Sequence, residues 1–186
     1  MQPVLIIVTG LPGTGKTTIG KQISNRFSLP FICKDSIKEV LFDELGWNEK
    51  DLCRKIGGAS YELLYHFVEM LLESRSSVVV EANFVPEIAN HKFHQLRKLD
   101  FIPVQIRCFA RQEIILERFK KREESKRRHP GHRVRRTMEE WIPILSREKS
   151  EFLSIGGKKF DLDTTSSTTL GELEQELDQI LGKSSG

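Results

Sequence analysis

The stretch Gly10-Leu11-Pro12-Gly13-Thr14-Gly15-Lys16-Thr17 constrains this chain more than any other. It has the form G-x-x-x-x-G-K-[ST], the Walker A phosphate-binding loop, and it lies in the context that the motif requires. Before it, Val4-Leu5-Ile6-Ile7-Val8 is a short, β-branched, uninterrupted apolar run, as a strand buried on both faces should be. After it, Ile19, Ile23 and Phe27 recur every four residues and share one face of a helix.

The spacing follows from the chemistry. Gly10, Gly13 and Gly15 let the backbone curl so that successive N–H groups point inward, and a row of triphosphate oxygens can sit in that concavity at a helix N-terminus. Leu11, Pro12, Thr14 and Thr18 complete the cradle. Lys16 can then reach the β- and γ-phosphates as a point charge, and the Thr17 hydroxyl can ligate Mg²⁺.

Two further stretches bear on function. Phe31-Ile32-Cys33 reads as a second short strand, and Ser36 with Glu39 forms an S-x-x-E capping box. The pattern predicts a helix from Ser36 with Ile37, Val40 and Leu41 facing inward, leaving Asp35 at the carboxyl end of a strand, where open α/β sheets bind ligands. Ser77-Val78-Val79-Val80-Glu81 is a valine run ending in a carboxylate, the shape of a Walker B strand. Glu81 would either hold the Mg²⁺ shell or orient a nucleophile, and Asn83, two residues on, would face the same cleft mouth.

Elsewhere the reading is organisational. Ser60 to Leu72 has helical spacing, with Gly57-Gly58 ahead of it as a hinge or a loop. Ile88, Ala89, Phe93, Leu96 and Leu99 suggest a crossover helix, and Val104, Ile106 and Cys108 a strand. Arg111 to Glu124 predicts a charged helix with Ile114, Ile115, Leu116 and Phe119 as its apolar face, and places Arg118 and Arg122 four residues apart on one side. A basic stretch to Arg136, broken by Pro130-Gly131, should be a mobile loop in which His129 and His132 are solvated. A helix from Thr137, a strand at Phe160–Asp163 and a closing helix carrying Leu170, Leu173, Leu177, Ile180 and Leu181 follow. Strands near Val4, Phe31, Val78, Val104 and Phe160 thus alternate with helices, which predicts a parallel sheet of five strands covered on both faces.

At 186 residues the chain has the size of a single domain, 1–186, with a lid segment at about 111–150. No apolar run approaches membrane-spanning length and Met1 leads into a core strand without a signal-peptide pattern, so a cytoplasmic protein is expected. Cys33, Cys53 and Cys108 are odd in number and far apart, and read as free thiols. A regulatory GTPase would need N-K-x-D, which is absent, and a mechanical ATPase of AAA type would need a helical domain for which there is no room.

In these residues the chain resembles the small P-loop kinases that include polynucleotide kinase, zeta toxins, chloramphenicol phosphotransferase, gluconate kinase and adenylate kinase. The resemblance implies a three-layer, nucleoside-kinase-like fold with a helical lid, and transfer of the γ-phosphate of ATP, with Mg²⁺, to a hydroxyl group. In the polynucleotide kinase and zeta group an aspartate after the second strand contacts the acceptor hydroxyl as base, which assigns that role to Asp35 in Lys34-Asp35-Ser36-Ile37-Lys38. Lids of the adenylate kinase kind carry R-x-x-x-R, matching Arg118 and Arg122, one near the adenine and the other on the phosphates. The third strand departs from the group: Glu81-Ala82-Asn83 stands where an aspartate followed by Thr-Asn is common.

The basic stretch admits two readings. It can track a nucleic-acid backbone, or serve as an ATP lid in which Arg127 and Arg128 grip an anionic acceptor. Its acidic neighbours and the lack of interleaved aromatics favour the lid, and hence a small-molecule acceptor over a polynucleotide. The acceptor pocket is expected along 35–58 and 83–86, where Phe42, Trp47, Tyr61 and Phe84 either face a small ring or belong to the core. The alternative to a kinase is a P-loop module that binds or hydrolyses ATP in a regulatory or interaction role.

Overall fold

The computed structural model describes residues 2–125, 129–134, 138–145 and 150–182. Along the chain run β1 (Val4–Gly10), α1 (Lys16–Phe27), β2 (Phe31–Cys33), α2 (Lys34–Leu45), α3 (Lys50–Glu73) and β3 (Val78–Glu81). Then follow α4 (Pro86–Leu96), β4 (Ile102–Phe109), α5 (Gln112–Glu124), α6 (Gly131–Val134), α7 (Met138–Leu145), β5 (Lys158–Asp163) and α8 (Ser167–Ile180). The strands form one parallel sheet in the order β2-β3-β1-β4-β5. This is the predicted five-stranded α/β fold.

All seven residues of β1 are buried because helices cover both faces of the sheet. Leu5 and Ile7 pack with Leu64 and Val68 of α3 and Phe93 of α4. Val4, Ile6 and Val8 pack on the other side with Ile23 and Phe27 of α1 and Leu173 and Leu177 of α8. Successive side chains of a strand point to opposite faces, so a strand between two helical layers must be apolar at every position. Each such residue contributes about 1.5–3 kcal/mol by leaving water.

Since all strands are parallel, Gly10, Cys33, Glu81, Phe109 and Asp163 end at the same edge of the sheet. The chain goes from β1 out to β2, returns to β3 beside β1, and then crosses to β4 on the far side of β1. That reversal opens a crevice at the carboxyl edge, beside β1.

Three expectations are corrected. First, α2 begins at Lys34, directly after the strand, with Cys33 as N-cap and no side-chain capping bond. The Ser36–Glu39 box does not form, and Val40, expected inside, is 62% exposed while Lys38 and Phe42 are buried. Second, Gly57 and Gly58 lie inside α3 and form neither hinge nor loop. Third, His129 and His132 are docked against α2, as described below. The capping box expected at Thr137 falls outside the described residues, and α7 is observed from Met138.

Gly58 is exposed, and a Cβ placed on it would meet nothing within 4 Å. Gly58→Ala is therefore expected to stabilise the protein by about 0.5–1 kcal/mol, measured as a shift of the urea midpoint at constant m.

The three cysteines are free and buried. Buried Gln105 of β4 fastens the segment after α7: its amide nitrogen donates to the carbonyls of Leu153 and Gly156 at 3.1 and 2.9 Å, and its oxygen accepts from the Leu153 amide at 2.8 Å. Among the described residues no helix is long and apolar enough to cross a membrane.

Candidate active site

The loop after β1 is shaped by its glycines. Gly10 has φ of +146°, and a Cβ there would stand 2.3 Å from the carbonyl oxygen of Cys108 on β4, so no side chain fits. Gly15, at φ of +84°, is the N-cap of α1 and supplies no side-chain capping bond. The first N–H groups of α1 are thus left for a ligand, at the positive end of the helix dipole. Inside the loop the Lys16 ammonium donates to the Leu11 carbonyl at 3.0 Å, and the Thr14 hydroxyl to the same oxygen at 2.7 Å.

β3 and β2 furnish the next layer. Buried Glu81 accepts from the Thr17 hydroxyl at 2.9 Å and from the Cys33 thiol at 3.1 Å, both through Oε2. Burial, and then the charge of Glu81, push the Cys33 thiol up to about 11, so it stays protonated at neutral pH and acts as a donor. Cys108 is pushed up to about 12, again mainly by burial. Neither thiol is a nucleophile in this state.

Asp35 sits in the first turn of α2, 3.1 Å from the Lys34 ammonium. Burial works against its ionisation, but the charges of Lys34, His132 and Lys16 outweigh burial and hold the carboxyl below the usual range. The carboxylate is therefore charged at every pH at which the protein would work.

A cleft of about 300 Å³ brings together Lys16, Thr17, Asp35, Glu81, Asn83 and Arg122. These are six of the residues singled out from the sequence. Pro12 also borders it. A second cleft, of about 470 Å³, lies on the other side of Gly15, among Thr18, Arg118, Asp163 and Thr164. There the Arg118 guanidinium donates to the Thr164 hydroxyl at 2.9 Å and to the Thr164 carbonyl at 3.2 Å. Arg118 and Arg122, one helical turn apart on α5, are thus divided between the two clefts. Arg127 and Arg128 lie outside the described residues.

Of the four aromatics considered for an acceptor pocket, Tyr61 alone lines the first cleft, with its hydroxyl donating to the Asn83 carbonyl at 2.7 Å. Phe42 and Phe84 are core residues, and Trp47 packs with Phe42 and Cys53 in a cluster between α2 and α3.

Two functional candidates were missed in the sequence. Lys38 is only 3% exposed, lies 4.6 Å above the Phe42 ring, and lines the first cleft. The signal was available: Lys38 is three residues after Asp35 and hence on the same helix face. His132, expected in solvent, is buried, 2.9 Å from Glu39 of α2, and packs edge-on against Phe42. His129 stacks on Phe42 from the same segment. Its Nδ1 accepts the Gly131 N–H at 3.1 Å, so Nε2 carries the proton and donates to Asp43 at 3.0 Å.

Residues 5–144 match the family model AAA_33, described as an AAA domain, and the chain belongs to that family. It is a small P-loop kinase fold, and the kinase-named relatives bear this out. A crystal structure from Chloroflexus aurantiacus, provisionally named a kinase, is 35% identical, covers 96% of this chain and 98% of its own, and superposes with a TM-score of 0.89. A Methanocaldococcus jannaschii protein provisionally named an adenylate kinase is 27% identical over 181 residues, which is 95% of this chain and 83% of that one. A shikimate kinase from Paracidovorax citrulli is 32% identical over 83 residues, 45% of this chain and 40% of its own.

Proposed function

We propose that this protein is an ATP-dependent phosphotransferase that moves the γ-phosphate of ATP to a hydroxyl of a small molecule. The observation that carries this reading is the presence, in one cleft, of a phosphate-loop lysine, Lys16, and a charged carboxylate on a different element, Asp35. An ATP-binding module that transfers nothing has no use for the second. A cleft of about 300 Å³ suits a small acceptor, and the adenylate and shikimate kinases among the relatives are named for such molecules.

In this scheme the triphosphate lies against the N–H groups of Gly13 to Thr17. Lys16 leaves the Leu11 carbonyl for the β- and γ-oxygens. The adenine end enters the cleft beside Thr18, Thr164 and Arg118. Thr17 and Glu81 form a convergent pair of hard oxygen donors, which suits Mg²⁺ carried mainly by substrate phosphates, and they would hold it. When bound, the ion neutralises charge on the phosphate oxygens.

Asp35 accepts the hydrogen bond of the acceptor hydroxyl, orients its oxygen towards the γ-phosphorus and takes the proton as the new P–O bond forms. The transition state is loose, so the proton leaves late and a weakly basic, permanently charged carboxylate is adequate. Arg122 offers a guanidinium to the charge that spreads over the equatorial oxygens. Segment 111–150 acts as the lid. Closed over the site, it keeps water from competing with the acceptor.

The test is ADP release by the purified protein with Mg-ATP and a panel of hydroxyl-bearing acceptors: nucleosides, 5′-hydroxyl oligonucleotides, sugars, sugar acids and antibiotic alcohols. Acceptor-dependent ADP release together with a phosphorylated product is expected. Tight ATP binding with no acceptor-dependent turnover would overturn the reading in favour of a binding module.

A further inference from the structure

Phosphoryl transfer as described engages the cations of the first cleft with ATP or with the protein itself. Lys16 and Arg122 face the phosphates, Lys34 is held on Asp35 at 3.1 Å, and the Lys38 ammonium lies 4.6 Å over the Phe42 ring. His132 stands 2.9 Å from Glu39. The lining that the start of α4 contributes has another character. Val85 and Ile88 both border the cleft, and they are 50% and 68% exposed although both are apolar.

Neither residue is what the fold alone would select. Val85 is the N-cap of α4: its carbonyl accepts the N–H groups of Ile88 and Ala89 at 3.0 and 2.8 Å, and no side chain caps the helix. Ser, Thr, Asp and Asn are strongly preferred at such a position, and valine is among the poorest choices. Ile88 lies outside the core cluster that takes up its neighbours Phe84 and Ala89, and on an exposed helix position a β-branched residue gains nothing from propensity. The backbone beneath the pair is fixed. Buried Phe84 packs edge-on against Phe93, Pro86 sets the first turn, and the Tyr61 hydroxyl holds the Asn83 carbonyl at 2.7 Å. A single exposed isoleucine needs no explanation. Two apolar side chains one helical turn apart, at an uncapped helix start and in the same cleft as the charged Asp35, call for a ligand that covers them.

We infer that the acceptor is an alcohol with an apolar body, alicyclic or aromatic, which lies against Val85 and Ile88 while its hydroxyl bonds to Asp35. The place of the hydroxyl rests on the phosphotransferase reading; the chemical class of the substrate is what the apolar pair adds. The alcohol oxygen attacks the γ-phosphorus, the bond from that phosphorus to the bridging oxygen breaks with its electron pair leaving on ADP, and the proton passes to Asp35. A cleft of about 300 Å³, shared with the γ-phosphate, leaves room for one ring or a chain of similar size. Selectivity follows from desolvation. A polyol in the same place presses hydroxyls on two aliphatic side chains that offer no hydrogen bond, and so loses water without a replacement partner.

The experiment uses pairs that keep the ring size and change its polarity: cyclohexanol with inositol, and cyclohexylmethanol with glucose. Two readouts are taken, ADP release and calorimetric binding with the phosphate loop filled by Mg²⁺ and a non-hydrolysable ATP analogue. The apolar member of each pair is expected to bind at least about ten-fold more tightly, with a negative heat-capacity change, and each CH₂ added to the ring to tighten binding by up to about four-fold until the pair is covered. In the double variant Val85→Thr, Ile88→Gln the preference is expected to fall below about three-fold. Thr keeps the shape of Val and supplies the missing cap, and Gln is the better helix former, so the melting temperature of the variant holds or rises while its apolar preference is lost. A folding defect does not give that combination, and the wild-type preference needs no variant at all.

Equal or better binding of the polyols, or no binding of either member, overturns the inference, as does a preference that survives the double variant. Turnover that falls equally for polyols and apolar alcohols in the variant marks Val85 and Ile88 as a seat for the lid, and overturns it too. Apolar preference in binding without ADP release from any acceptor would overturn the phosphotransferase reading and leave the apolar subsite in place. Turnover of polyols alone would do the reverse.

Discussion

Asp35→Asn lowers kcat with any accepted substrate by about 10²–10⁴-fold while the KM for ATP changes by less than about three-fold, the pattern of a group that acts on the acceptor in the transition state. Asparagine has the same shape and still bonds to Lys34, but it cannot take a proton. Single-turnover measurements with saturating ATP separate this loss from any change in product release. The charge state of Asp35 adds a second expectation. Because Lys34, His132 and Lys16 hold the carboxyl down against burial, its deprotonated form persists as the pH falls, and kcat shows no acid limb from this residue near neutrality. The sign for stability is the usual one for a depressed carboxyl. The pairing with Lys34 stabilises the fold above the unfolded-state value of about 4, and that contribution is lost as the pH falls through the lower folded-state value.

Lys16→Ala removes the only side-chain cation that the phosphate loop itself supplies. The expected loss is about 10²–10³-fold in kcat, with ATP binding weakened by about ten-fold. Lys16→Arg does not restore activity. Lys16 is 8% exposed and its ammonium is enclosed at 3.0 Å from the Leu11 carbonyl, a space that admits a point charge and not a planar fork. Isothermal titration with ATP and steady-state ADP release read the two effects apart. A Lys16→Ala protein that turned over at the wild-type rate would remove the phosphate loop from the mechanism altogether.

The two variants fail differently, which makes them informative together. Loss at Lys16 affects the donor and extends to binding, whereas loss at Asp35 affects the acceptor and is confined to turnover. Their sites share one cleft, and Lys16 is one of the charges that depress Asp35. The double variant is therefore not expected to show the sum of the two losses.

Much of the fold was legible because local pattern and global environment agree. β1 reads as an unbroken apolar run since both its faces are covered, and the G-x-x-x-x-G-K-T spacing has a meaning that few other structures share. The parallel sheet followed from alternation of strands and helices. Glu81 and Asp35 could be placed at the carboxyl edge from strand ends alone.

Local pattern and structure diverge where a local rule assumes a context that the chain does not provide. The S-x-x-E signal assumes a loop that needs capping, but α2 follows β2 with no intervening residue, so the backbone of Cys33 makes the turn and Ser36 faces solvent. That shift moved the buried face of α2 from Val40 to Lys38 and Phe42. Gly57-Gly58 reads as a hinge or a loop because glycine lowers helix propensity by about 1 kcal/mol, a cost outweighed here by the buried contacts of Ile56, Ser60 and Leu64 on either side.

The amino-acid sequence by itself determined the phosphate loop, the three-layer sheet and the carboxylates at its edge, because each depends on short-range spacing and on periodicity along one element. Tertiary structure alone decided that Arg118 and Arg122 serve different clefts, that His129 and His132 lock onto α2 around Phe42, and that Lys38 is an inward-facing cation. Polar residues carry no periodic signature of burial. Whether a lysine or a histidine faces water or a cleft is set by segments nearly a hundred residues apart in sequence, as Glu39 and His132 are, which meet only once the sheet has formed.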